Sequence, residues 1–143
     1  MKTAIFAIII MFFSADTCSK QEMNSIESFN YETFTRGSTT MYTVTSENVK
    51  VKSSDLNSKE KSKSITAEEW NFLIGSANKI EASKMSQLKA PTNSRVSDEA
   101  LHAILSIRKN DTIYKTNSFD HGNPPAEVKP LVEAILRLAE NVE

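Results

Sequence analysis

The sequence predicts an α+β fold, a two-layer sandwich in which an antiparallel sheet carries two helices on one face, in the order βββ-α-ββ-α. Three observations predict it. Residues 29–52, and again 101–119, contain segments that alternate apolar with polar residues or are rich in β-branched and aromatic ones, as half-buried strands are. Residues 70–80 and 128–139 instead space their apolar side chains at helical intervals. The strands also come in consecutive runs rather than alternating singly with helices, which favours antiparallel pairing with the helices gathered on one side.

At 143 residues the chain has the length of one domain. Hydrophobic residues make up 39% and charged residues 24%, a globular composition. The formal net charge of −1 provides no field that would recruit nucleic acid. With only Gly37, Gly75 and Gly122 present, no phosphate-cradling loop can be assembled, so nucleotide chemistry is set aside as well.

Residues 1–17 read as an export signal. Lys2 gives a positive start and residues 4–13 are an unbroken apolar run, followed by small and polar residues. Ten helical residues span about 15 Å, half a bilayer's hydrocarbon core, which is too short for a stable membrane span. Cys18, the single cysteine, follows where the modified cysteine of a bacterial lipoprotein stands, although Thr17 before it departs from the usual Gly, Ala or Ser. A lone cysteine in an oxidising compartment has no intramolecular partner, and acylation would consume the thiol. The expectation is therefore a lipid anchor on Cys18 and a location in the cell envelope. A periplasmic or secreted soluble form, cut near Ser19, and an uncleaved anchor are the alternatives. Residues 18–25 serve as a polar tether and residues 26–143 form the single domain.

Within that domain, residues 29–33 and 39–45 read as the first two strands, separated by the Arg36-Gly37-Ser38 break. Ser46-Glu47-Asn48 turns the chain into a third strand at 49–52, whose Val/Lys alternation puts one face on the core. Residues 55–64 form a charged excursion, a solvated loop or a lysine-guarded edge strand. Thr66-Ala67-Glu68-Glu69 matches a capping box and opens the first helix, with Trp70, Leu73, Ile74, Ala77 and Ile80 on one stripe. Trp70 reads as a core anchor in that stripe.

Residues 85–97 form a long connection and the first candidate for a recognition loop. A hairpin follows, with Leu101, Ala103, Leu105 and Ile107 on one face, a two-residue Asn110-Asp111 turn, and a return strand over 112–119. The last helix places Val128, Leu131, Val132, Ile135, Leu138 and Ala139 on one side. It tolerates Pro130 only within its first turn.

Asp120-His121 is the pair that invites a catalytic reading, since an aspartate can orient an imidazole acting as a general base. Sequence neighbours, however, project to different sides. Every residue of the stretch also has a structural use: an Asx-turn at Asp120, positive φ at Gly122, and extended Asn123 before Pro124-Pro125. His102, on the opposite face from Leu105, completes the histidine inventory. With Asp98, Glu99 and Asp120 it could assemble a zinc site, although no metal-ligand spacing such as HExxH is present. Asn110-Asp111-Thr112 and Asp111-Thr112-Ile113 match short glycosylation patterns. No G-x-S-x-G elbow exists, and no catalytic, cofactor-binding or metal-ligating residue is assigned.

The run from Leu88-Lys89-Ala90-Pro91-Thr92 to Ser118-Phe119-Asp120-His121-Gly122-Asn123-Pro124-Pro125 resembles that of a family of small, uncharacterised exported proteins and lipoproteins of Bacteroidota. The likeness covers residues 29–138, with the corner and the Lys-Ala-Pro loop its specific parts. It implies the strand-helix-hairpin-helix order and an envelope location, and brings no catalytic residues. The resulting expectation is a non-enzymatic binding or structural module of the envelope, whose partner is the membrane through Cys18 and a protein or envelope component. A small hydrolase or metal-dependent enzyme using Asp120, His121 and His102 is the alternative.

Overall fold

The computed structural model describes residues 26–54 and 60–142. The expected export signal (1–17), the anchor Cys18 and the tether (18–25) lie outside the described residues, as do residues 55–59 of the charged excursion.

Four strands come first: β1 (Ile26–Phe34), β2 (Thr39–Val44), β3 (Asn48–Ser53) and β4 (Lys61–Ser64). Helix α1 (Ala67–Ala77) leads through two short 3-10 turns, Ala82–Gln87 and Ser94–Ser97, to β5 (His102–Lys109), β6 (Thr112–Lys115) and β7 (Phe119–Asp120). Helix α2 (Lys129–Ala139) completes the described chain. The strands form one open antiparallel sheet in the order β4-β3-β2-β1-β5-β6, with β7 pairing onto β5. The long β1 is therefore central, hydrogen-bonded to β2 on one side and β5 on the other.

Register explains which residues are buried. Phe29 faces Val44 on one neighbour and Ile107 on the other, and Tyr31 faces Tyr42 and Leu105. These odd-numbered β1 residues are fully buried, whereas Ile26 and Phe34 at the strand's ends are only half-buried. The core continues into both helices through Leu73 and Ala77 of α1 and Leu131, Val132, Ala134 and Ile135 of α2. Trp70 is half-buried and packs its ring 5.3 Å from that of Phe29.

The capping box forms as the sequence predicts. The Glu69 amide donates to Thr66 Oγ1 at 3.2 Å, and the Thr66 amide donates to Glu69 Oε2 at 2.7 Å. Thr66→Ala removes the acceptor and leaves an N-terminal amide of the helix without its partner, at an expected cost of about 1 kcal/mol. A chemical-denaturation midpoint unchanged in Thr66→Ala would count against it. Pro130 sits at the second position of α2, where its missing N–H costs no intrahelical bond.

Four expectations change. The excursion before α1 takes the edge-strand alternative, β4, so among the described residues four strands rather than three precede the first helix. The return strand expected over 112–119 is split into β6 and β7: the Thr116 amide still donates to the Leu105 carbonyl at 3.0 Å, but the Leu105 amide donates to the Thr116 hydroxyl in place of a backbone carbonyl. Leu101 precedes β5 and is exposed, so it does not share the buried row of Ala103, Leu105 and Ile107. The 85–97 connection carries most of its length in the two 3-10 turns and is pinned by Met85, which is fully buried.

The Asn110-Asp111 turn adopts φ of 50° and 60°, the left-handed pair that a two-residue hairpin requires.

Candidate functional site

The corner after β7 is built by local backbone geometry. Asn123 donates its amide to the Asp120 carbonyl at 2.9 Å, closing a turn in which Gly122 takes φ of 88°, a conformation that strains any side chain. His121 donates its amide to the Leu101 carbonyl at 2.8 Å, fastening the corner to the start of β5. Pro124 and Pro125 are buried, and the Pro125 carbonyl accepts from the Val128 and Lys129 amides at the start of α2.

Asp120 does not form the expected Asx-turn with its carboxylate. That group reaches across to the 92–95 loop and accepts four hydrogen bonds there. They come from the Thr92 hydroxyl, the Ser94 amide at 2.8 Å, the Arg95 amide at 3.0 Å and Arg95 Nη1 at 2.9 Å. The Asp120 side chain is 4% exposed and that of Arg95 13%, so the pair is a buried ion pair with its hydrogen-bonding capacity filled. Arg95 Nη1 also donates to the Thr92 carbonyl at 2.8 Å, and Asn123 Nδ2 donates to the Thr92 hydroxyl oxygen at 3.0 Å, which closes the network on itself. Burial pushes the Asp120 carboxyl up, but the bonds from Thr92, Arg95 and Ser94 outweigh it and hold the group well below the usual carboxylate range.

His102 pairs with Asp120 across β5 and β7, so the two side chains share a face. His102 is occupied by structural contacts. Its ring stacks on Phe34 at 5.0 Å and 17°, and Nδ1 lies 3.1 Å from the Ser118 hydroxyl.

His121, one residue on from Asp120, projects the other way. Its Nδ1 lies 2.9 Å from the Tyr31 hydroxyl, and the two rings are 5.9 Å apart. Burial lowers the imidazole's pKa, so His121 is neutral at pH 7. Burial, and secondarily the neighbouring Tyr42, raise that of Tyr31, which keeps its proton. The ring of His121 forms part of a cleft of about 440 Å³. Val51, Leu136, Ala139 and Val142 provide its apolar surface, and Tyr42, Lys61 and Glu140 stand with His121 as its polar groups.

The structure thus brings Asp120 and His102 to one face and sends His121 to the other, so the three do not converge as an acid–base site. Among the described residues no group of three or more His, Cys, Asp or Glu side chains is placed to hold a metal ion. Cys18 lies outside the described residues. Sequence reasoning missed Thr92, Ser94 and Arg95 as partners of Asp120, and Tyr31 as the partner of His121. The only signal for the former was an arginine in the otherwise uncharged 92–95 stretch, 25 residues from its carboxylate. No family model matches the chain, and no curated protein and no solved structure matches it either.

Proposed function

We propose that this chain is an exported, lipid-anchored protein of the bacterial cell envelope that acts as a non-enzymatic binding or structural module. The observation that carries the non-enzymatic reading is the engagement of the Asp120 carboxylate. Among the described residues the four hydrogen bonds it accepts come from the 92–95 loop, so it is turned to neither His102 nor His121 and holds the loop to the sheet instead. Export and anchoring rest on the apolar run over 4–13 and on Cys18 behind it. Membership of the small exported Bacteroidota family rests on the 88–92 and 118–125 stretches. The partners we infer are the membrane through the Cys18 lipid and a protein or envelope component, not nucleic acid or a nucleotide.

For the fold, we infer the two-layer arrangement with both helices on one face of the sheet. Trp70 of α1 lies against Phe29, and α2 packs on β1, β2 and β3, elements whose buried rows include Phe29, Tyr31, Val44 and Val49.

Intact-mass measurement on the protein purified from its native cells tests the anchor. A chain beginning at Cys18 and carrying acyl groups is expected, and an unmodified chain beginning near Lys20 would overturn lipidation. The enzymatic alternative is tested on the same material with chromogenic ester and phosphoester substrates. Turnover abolished by His121→Gln, with the melting curve unmoved, would overturn the module reading.

A further inference from the structure

The Tyr31–His121 pair fixes more than the position of a ring. The Tyr31 side chain is fully buried, and the hydrogen bond its hydroxyl makes among the described residues is to His121 Nδ1. If Nδ1 carried the imidazole proton, the hydroxyl would accept it and leave its own O–H buried without an acceptor, a costly arrangement. The hydroxyl therefore donates, Nδ1 accepts, and the neutral ring carries its proton on Nε2. With Nδ1 committed to Tyr31, Nε2–H is the polar group that His121 leaves for the cleft it lines.

Around that donor the cleft combines three chemistries. Lys61, on the edge strand β4, gives an ammonium, and Glu140, at the C-terminal end of α2, gives a carboxylate. Neither forms an ion pair with another of the described residues, and both residues are exposed at the cleft's margin. Val51, Leu136, Ala139 and Val142 supply an apolar wall. A simple fatty acid would meet Lys61 and His121 but leave Glu140 facing its carboxylate; a cationic amphiphile has the reverse difficulty with Lys61. One positive group, one negative group, two neutral polar groups in His121 and Tyr42, and an apolar wall together fit a zwitterion.

We propose that the His121 cleft binds a small zwitterion with an apolar side chain, an amino acid or dipeptide, its carboxylate on Lys61 and the His121 Nε2–H, its ammonium on Glu140. Its side chain lies on the Val51, Leu136, Ala139 and Val142 wall. The volume of about 440 Å³ accommodates a molecule of that size. This assignment rests on the non-enzymatic reading above and names the ligand class of that module.

Isothermal titration of the mature protein with L-leucine, L-phenylalanine and L-leucyl-L-leucine tests it, with glycine, leucinamide and N-acetyl-leucine as controls. Leucine is expected to bind and glycine not to. Leucinamide, lacking the carboxylate, and N-acetyl-leucine, lacking the ammonium, are each expected to bind roughly tenfold more weakly. Lys61→Gln and Glu140→Gln alter exposed side chains and leave the core intact, so they report on the site without the risk of unfolding. Lys61→Gln is expected to weaken leucine by about tenfold while leaving leucinamide unchanged, and Glu140→Gln to do the same for leucine against N-acetyl-leucine. No binding of any of the three ligands at millimolar concentration, or binding indifferent to both substitutions, would overturn the assignment and leave the non-enzymatic reading standing. Recovery of leucyl-leucine as free leucine would support the site and overturn the non-enzymatic reading.

Discussion

Asp120→Asn is expected to lower the thermal midpoint at pH 7 by roughly 10 °C, a large shift for a single substitution that keeps the size and shape of the side chain. The reason is donor counting. The carboxylate accepts from one hydroxyl, two backbone amides and a guanidinium. An amide group in its place offers one oxygen, and whichever position its NH2 takes it meets a backbone N–H, of Ser94 or of Arg95, that can only donate. Arg95, only 13% exposed, then keeps its charge with no carboxylate beside it.

The pH dependence separates this from a simple packing defect. The folded-state pKa of Asp120 lies below its ordinary value of 3.8. The stabilisation from the ionised group is therefore fully present above about pH 4 and is lost as pH falls through the folded-state value. Wild type should lose stability with acid faster than Asp120→Asn, which has no such proton to take up, and the gap between their melting temperatures should narrow. A gap that is absent at pH 7, or that stays constant down to pH 2, would mean that the carboxylate does not hold the 92–95 loop in the way described. Arg95→Ala provides a second reading, because it removes the cation while retaining the two backbone amides. Its effect at pH 7 should be smaller than that of Asp120→Asn.

What the sequence showed of this corner, and what it hid, follow from the range of the interactions. Gly122 with positive φ and Pro130 at the start of α2 are local consequences of residue type, and both appear as expected. The capping box and the Asn110-Asp111 turn are equally local, because all the atoms concerned lie within four residues of one another. Strand alternation also identified the buried row of β5.

The role of Asp120 was not legible, because an Asx-turn and a long-range carboxylate anchor use the same residue, and only tertiary placement of the 92–95 loop decides between them. The break between β6 and β7 was hidden for a similar reason. Thr116 is a good strand residue, and nothing in its neighbours says that its hydroxyl will stand in for a backbone carbonyl. His121 is the intermediate case. The rule that sequence neighbours project to opposite sides correctly separated it from Asp120, but Tyr31 lies 90 residues earlier and could not be paired with it from spacing.

The same distinction between local and tertiary determinants makes Phe29→Ala the sharpest probe of how α1 is held to the sheet. Phe29 is fully buried in the central strand, between Val44 of β2 and Ile107 of β5, with the Trp70 ring tilted against it at 54°. Removing its ring leaves a space bounded by a three-strand lattice that is hydrogen-bonded on both sides of β1, so collapse around it is restricted. The expected loss is about 4 kcal/mol, from lost transfer energy together with an unfilled cavity.

Trp70 is the single tryptophan of the sequence, so the indole emission comes from the residue that packs on Phe29. In the folded Phe29→Ala protein the emission should shift to the red as water reaches the indole face that Phe29 had covered. Phe72→Ala, two residues along the same helix, is the matched control. Phe72 is 60% exposed, and its removal should change stability by no more than about 0.5 kcal/mol. If the two substitutions proved equally mild and the Trp70 emission did not move, the helix would be held to the sheet by something other than the Phe29–Trp70 contact. The size of the difference between them measures how far the apolar stripe behind the capping box, rather than the helix's intrinsic propensity, secures α1.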